Sequence, residues 1–333
     1  GILYLENRQT TALFTPQHLE TLQLLSAQIG IALENAHLFR EQKRLTEVYS
    51  RYVPMEFLKL LGKESILDVK LADQVNRDMS VMFTDIRSFT ALSEQLTPAE
   101  NFNFLNSYLA QVSPVVRANH GFIDKYLGDG LMALFPGSEL DALQAAVGIQ
   151  RTLQDYNQGR QLAGFVPISV GIGVHCGSLM LGTIGERERM ETTVISDAVN
   201  VASRLESLSK RYGISILVSE VVVGKTEASG RYKSRFLDRV ILVGKNKPLA
   251  IYEIIDGCLP EDFRLKSETL GLYNEGIELF YRRDFDKAGE CFDTILRKNP
   301  GDNPARLYLD RCSIFSINPP PEEWTGTIVL VDK

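Results

Sequence analysis

A tight turn between two apolar runs constrains this chain more than any other feature. Phe122–Tyr126 and Leu131–Phe135 flank Leu127-Gly128-Asp129-Gly130, a pattern that predicts two strands joined as a hairpin. Met79–Ile86 is a short apolar run expected to be a buried strand, and Ile168–His175 is a β-branched and glycine run expected to be another. Pro98–Val116 and Leu140–Tyr156 have helical periodicity. A further helix is predicted over Asp197–Arg211, then strands over Ile214–Ser219, Phe236–Val243 and Ile251–Ile255. The order β-α-β-β-α-β, with additions, predicts a ferredoxin-like α+β core over residues 78–257.

The flanks read differently. Residues 1–40 suggest a strand and then a long helix, with Thr15-Pro16 as its start and Gln17 and Glu20 in the first turns. Leu22, Leu25, Ile29, Ala32, Ala36 and Phe39 then form a heptad-like stripe. That stripe is either the inner face of a surface helix or the seam of a parallel dimer. A linker helix and connector fill 41–77. The opening Ile2-Leu3-Tyr4-Leu5 resembles the middle of a domain, so the chain is expected to be a piece of something larger. Over 265–315, Gly276, Ala288, Phe292 and Pro300 match tetratricopeptide positions, with Leu272 and Leu279 where Trp and Tyr are usual. One such repeat cannot bury its own face, so it should pack on a neighbour or dock a partner. The tail, 316–333, holds the single tryptophan, Trp324, and is expected to be loose or packed on the repeat.

Composition excludes some functions. A net charge of −6 argues against a nucleic-acid partner. It leaves nucleotides open, since a few local cations suffice for a triphosphate. The four cysteines (Cys176, Cys258, Cys291 and Cys312) form no C-x-x-C pair, which favours a reducing, cytoplasmic setting. No run of about 18 apolar residues is present, so no membrane span is expected, and no signal-peptide pattern opens the chain.

Three segments carry chemistry. In Phe83-Thr84-Asp85-Ile86-Arg87-Ser88-Phe89-Thr90 a carboxylate ends a buried strand where the chain turns into a helix. Backbone N–H groups of such a turn hold phosphate oxygens, and a carboxylate beside them holds the accompanying magnesium. The plainer reading is an aspartate that only starts a helix. In the hairpin, Asp129 lies between two glycines, which by itself is a good turn. If the hairpin lies beside the first strand, Asp85 and Asp129 meet, and two carboxylates together need a cation or a proton. In the third segment, Thr192 to Glu206, Asn200 and Arg204 share one helical face. The plainer reading there is a solvated stripe.

Together these segments resemble the class III adenylate cyclases, and residues 1–40 resemble the end of a GAF domain in a cyanobacterial GAF–cyclase protein. The resemblance implies signal transduction through conversion of ATP to cyclic AMP. It implies two magnesium ions, with manganese as an alternative, held by Asp85, Asp129 and the carbonyl of Ile86. Backbone at Phe89 and Thr90 matches the phosphate-holding turn. Lys125 and Thr193 match the pair that reads adenine, Asn200 the residue that orients the ribose, and Arg204 the one that stabilises charge on the α-phosphate. A homodimer is implied, with each site taking the aspartates from one subunit and Lys, Thr, Asn and Arg from the other. The helix at 17–52 is placed to control that pairing.

Some positions depart from the family. In Val243-Gly244-Lys245-Asn246-Lys247 the usual triphosphate lysine is Val243, which leaves Lys245 or Lys247 as its replacement. Thr192 stands for a usual Tyr and Ser196 for a usual Gly. Thr193 resembles the bicarbonate-responsive subgroup, so bicarbonate activation is expected. A diguanylate cyclase would need a different hairpin sequence, and no P-loop run is present. The remaining alternative is a silent cyclase-like dimer that scaffolds partners through the repeat.

Overall fold

The computed structural model describes Tyr4, Glu6 and residues 15–50, 52–186 and 188–329. They fall into two units, 1–57 and 58–333. The first consists mainly of helix α1 (Pro16–Tyr49), which starts where the sequence predicts. The Thr15 hydroxyl accepts from the His18 N–H at 3.4 Å, and Pro16 occupies the first turn. None of its residues is buried, and Leu25, Ile29 and Phe39 of the stripe are 46%, 47% and 70% exposed. The strand expected before it lies outside the described residues. No described helix is long and apolar enough to cross a membrane.

After α2 (Met55–Leu60), the second unit runs β1 (Gln74–Ile86), α3 (Phe89–Ser93), α4 (Pro98–Ala118), β2 (Phe122–Leu127), β3 (Gly130–Phe135), α5 (Glu139–Leu162), β4 (Val170–Gly185) and β5 (Met190–Ile195). It continues through α6 (Asp197–Tyr212), β6 (Ile216–Ser219), α7 (Glu220–Thr226), β7 (Ser234–Ile241), β8 (Leu249–Ile254), α8 (Pro260–Tyr281), α9 (Phe285–Lys298), α10 (Asn303–Ile317) and β9 (Thr327–Val329). Capping boxes set two helix starts: Thr97 with Glu100 opens α4, and Ser138 with Asp141 opens α5.

The strands form one sheet in the order β2-β3-β1-β4-β6-β8-β7-β9, with β5 pairing β4 off this path. Its first four strands, β2-β3-β1-β4, have the arrangement a β-α-β-β-α-β unit produces, so the expected mixed α+β core is present. Alternation along the strands splits the core between the sheet's two faces. Met82, Ile172, Ile216 and Val218 join the α4–α5 side, with Tyr108, Val112, Leu143 and Val147. Leu217, Leu237, Val240 and Ile251 join Val201, Leu205 and Tyr212 of α6. A third cluster links α8, α9 and α10, where Tyr273, Phe280, Phe292 and Tyr308 interlock. Gly276 lies where α8 meets α9: a Cβ there would stand 2.9 Å from the Phe292 ring.

One expectation needs correction. Strands β1 and β4 are longer than predicted, because they pair with each other from Gln74↔Gly182 to Ile86↔Val170, and β5 pairs along the far end of β4. Of the two readings of the tail, packing on the helical layer is the one found. Trp324 packs 5.5 Å from the Phe280 ring and 5.4 Å from that of Phe315, and β9 pairs in parallel with β7.

Candidate functional site

The hairpin lies beside β1, with Thr84 opposite Leu131, so Asp85 at the end of β1 comes next to Gly130 at the tip. A Cβ at Gly130 would overlap the Thr84 carbonyl oxygen and stand 3.4 Å from Asp85 Oδ1, which only glycine avoids. Asp85 and Asp129 therefore meet. Burial, and then the Asp129 charge beside it, push the Asp85 carboxyl up to about 7. Glu206 adds to that push and Arg87 opposes it. Two carboxylates this close suit a bound cation. The corner offers two carboxylates, oxygen donors that suit magnesium or manganese. Among the described residues no group of three or more His, Cys, Asp or Glu side chains is placed to hold a metal. Water or ligand phosphates would have to complete the shell.

Just after this corner, Ser88 adopts a left-handed conformation (φ 57°, ψ 29°) and aims the chain into α3. Phe89 stacks on Phe104 with centroids 6.2 Å apart, while Thr90 is exposed. The turn expected to hold phosphates thus adjoins the two aspartates.

Sequence reasoning missed Arg87 and Glu206. Arg87 Nη1 lies 3.1 Å from Glu206 Oε1, and its Nη2 also bonds Ser209 Oγ. The guanidinium passes over Gly171, where a Cβ would overlap it. At Gly173 a Cβ would meet the α6 backbone, 2.7 Å from Glu206 Cα, and at Gly177 it would stand 3.0 Å from Ala198 Cβ. Gly173 and Gly177 let α6 lie close on β4, and Gly171 leaves room for the Arg87 guanidinium that bonds Glu206.

The remaining candidates lie elsewhere, as a Lys125–Thr193 pair and as residues on or beside α6. Lys125 Nζ is 3.3 Å from Thr193 Oγ1, a meeting of β2 and β5 across 68 residues. Lys125 also faces Asp124 at 3.4 Å and Glu191 at 3.8 Å. Ser196 caps α6, accepting from the Ala198 N–H at 3.0 Å. Asn200 is exposed. Arg204 Nη1 donates to the carbonyl of Val243, the residue standing where lysine is usual. Lys245 pairs with Asp197, and Lys247 is exposed. Close by, His175 Nδ1 is 2.7 Å from Ser219 Oγ, and burial pushes its ring down to about 4, so it is neutral at physiological pH. Among the described residues no hydrogen bond or ion pair joins Lys125, Thr193, Asn200, Arg204 or Lys245 to Asp85 or Asp129.

Comparison with known proteins follows the same outline. The family model for the adenylate and guanylate cyclase catalytic domain matches residues 71–255. A protein of Dictyostelium discoideum named "Adenylate cyclase, terminal-differentiation specific" is 34% identical over 276 residues, covering 80% of this chain and 13% of that one. An adenylate cyclase of Anabaena cylindrica is 40% identical over 222 residues, covering 65% of this chain and 44% of its own length. The chain therefore spans less than half of either relative. A solved bacterial light-regulated adenylyl cyclase has the same fold, with a TM-score of 0.58 at 22% identity over 72% of this chain and 70% of that one.

Proposed function

Because the chain belongs to the adenylate and guanylate cyclase catalytic-domain family, we propose that it converts ATP to 3′,5′-cyclic AMP and pyrophosphate, acting as a homodimer in signal transduction. The observation that carries the reading is the corner where Asp85 and Asp129 meet, beside a turn suited to phosphates. Divalent ions held by Asp85, Asp129 and the Ile86 carbonyl would acidify the ribose 3′-hydroxyl and neutralise the leaving phosphates.

The chain's own residues do the rest by positioning and charge. Lys125 donates to the adenine ring and Thr193 accepts from its exocyclic amine, and their spacing of 3.3 Å suits two contacts on one base edge. Asn200 holds the ribose. Arg204 stabilises charge that builds on the α-phosphoryl oxygens during attack by the 3′-oxygen. Lys245, released from Asp197, reaches the outer phosphates. Lys125, Thr193, Asn200, Arg204 and Lys245 come from the partner subunit. An apolar surface on β4 and β5 supports such pairing: Met180, Ile184, Met190 and Ile195 are 39%, 47%, 48% and 62% exposed. The exposed stripe on α1 suits a second seam.

The test is product formation by the purified chain with ATP or GTP and Mg²⁺ or Mn²⁺, beside Asp85→Ala. Cyclic AMP that disappears in the variant is expected. No cyclic nucleotide under any condition would leave the silent scaffold as the better reading.

A further inference from the structure

The C-terminal helical layer does more than cover the sheet. Along α10, Asn303, Leu307 and Arg311 recur every fourth residue and so share one side of the helix. All three reach α6 or its support. The Asn303 side chain occupies the space a Cβ would take at Gly213, the left-handed residue (φ 63°) that ends α6. Leu307 packs into the cluster of Val201, Leu205, Leu208 and Tyr212. Arg311 Nη1 lies 2.8 Å from Asp238 Oδ2 on β7, and the same oxygen accepts the Tyr212 hydroxyl at 2.8 Å.

Strand β7 is held as well. Tyr308 donates to the Leu237 carbonyl at 2.8 Å, and the guanidinium of Arg311 lies 5.0 Å above the Tyr308 ring. Helix α6 therefore meets β7 and its following loop at two places. Tyr212 bonds Asp238 at one end, and Arg204, two turns earlier, bonds the Val243 carbonyl. Helix α10 grips both partners of this arrangement.

We propose that α10 braces α6, and that Arg311 and Asp238 are positioning residues for Arg204 and Asn200. Asp238 is fully buried, so its carboxylate needs the Arg311 charge. Without that charge the Tyr212 anchor loosens, α6 tilts on β4, and Arg204 leaves the place from which it acts. The layer matching one tetratricopeptide repeat is then part of the catalytic machinery. Its aromatic face is already filled by Trp324 of the same chain.

The test uses the whole chain and three variants. Arg311→Met removes the charge but keeps the stem, and Arg311→Lys restores a cation. Ile295→Ala opens the α9 core without touching the Arg311–Asp238–Tyr212 contacts, as a control for lost stability. Hydrogen exchange of the amides over 205–212 should quicken in Arg311→Met and not in Ile295→Ala at matched melting temperature. The kinetic arm rests on the adenylate cyclase reading above. There Arg311→Met should lower kcat about tenfold with KM changed less than about twofold, and Arg311→Lys should recover most of it. Unchanged exchange in Arg311→Met overturns the brace, as does an equal fall in kcat for Ile295→Ala. A wild-type chain that makes no cyclic nucleotide sinks the functional reading, while the exchange comparison still decides the brace.

Discussion

Arg235 should be among the costliest side chains to lose, although it lies far from the aspartate corner. Its side chain is 1% exposed and serves two carboxylates: Nε is 2.5 Å from Glu253 Oε2, and Nη1 and Nη2 are 2.7 Å and 3.0 Å from the two oxygens of Asp302. Its guanidinium also lies 4.6 Å above the Tyr273 ring. The two acids are not equal. Glu253 keeps a second cation, Lys266, at 2.8 Å, whereas Asp302 would retain only the Ala305 N–H at 3.2 Å. Removing one partner of a buried pair typically costs about 3–5 kcal/mol. Since Lys266 still compensates Glu253, about 3 kcal/mol is expected for Arg235→Met. Adding Asp302→Asn removes the stranded charge and should return about 1–2 kcal/mol.

The pH dependence follows. Burial opposes ionisation of Glu253, but Arg235 and Lys266 together hold its carboxyl below the usual range. That stability is present above the unfolded value of about 4.5 and is lost as pH falls through the folded value. In Arg235→Met the penalty is a buried negative charge, so the deficit is largest at neutral pH and shrinks towards pH 4, where protonation relieves it. Trp324, the single tryptophan, stacks against the helical layer and reports urea unfolding of this unit directly. A deficit under about 1 kcal/mol would refute the reasoning, as would a double variant no more stable than Arg235→Met or a deficit constant from pH 4 to 8.

The aspartate corner behaves in the opposite sense. Asp85 has a folded value raised to about 7, so its ionisation destabilises the metal-free chain as pH rises from about 4 to 7. Asp85→Asn should therefore lower turnover by orders of magnitude yet raise the melting temperature without divalent ions, more at pH 8 than at pH 5. Gly130→Ala should abolish the proposed cyclic AMP formation and lower the melting temperature by pushing the hairpin off Thr84, with the two losses measured on one preparation. Lys125→Glu combined with Thr193→Cys should shift the ratio of kcat/KM values from ATP towards GTP, and an unchanged ratio would remove the pair from base recognition.

What could be read in advance was local. The hairpin, the cap of α1 and the limits of α6 all follow from turn residues, caps and periodicity within a few positions. What could not be read depends on distant partners. Strand β5 forms because β4 runs well past its parallel partner β6, which leaves that edge of β4 free for Met190–Ile195 to pair with. Arg87 and Glu206 are separated by 119 residues, and each alone looks like an ordinary surface charge. Arg235, Asp238 and Glu253 occupy strand positions that would suit a solvated face. They are buried only because α8–α10 lie over them, and nothing local in β7 or β8 announces that cover.

Helix periodicity makes the strongest case that two chains share one site. Arg204 and Glu206 are two residues apart on α6, so their side chains point about 200° apart around the axis. Glu206 faces the Asp85 corner, through its bond to Arg87. Arg204 then faces away from that corner and bonds the Val243 carbonyl instead. One rigid α6 cannot offer both sides to one nucleotide, so an Arg204 that serves the Asp85 site must come from a second copy. An equal mixture of Asp85→Asn and Arg204→Ala chains tests this directly. Each variant alone has two damaged sites per dimer. With free exchange, about half the dimers are mixed, and each mixed dimer has one intact site of two, so the mixture should regain about a quarter of wild-type activity. Activity no higher than that of the separate variants, with exchange verified by differently tagged chains, would place Arg204 and Asp85 in the same chain's site and refute the argument from α6.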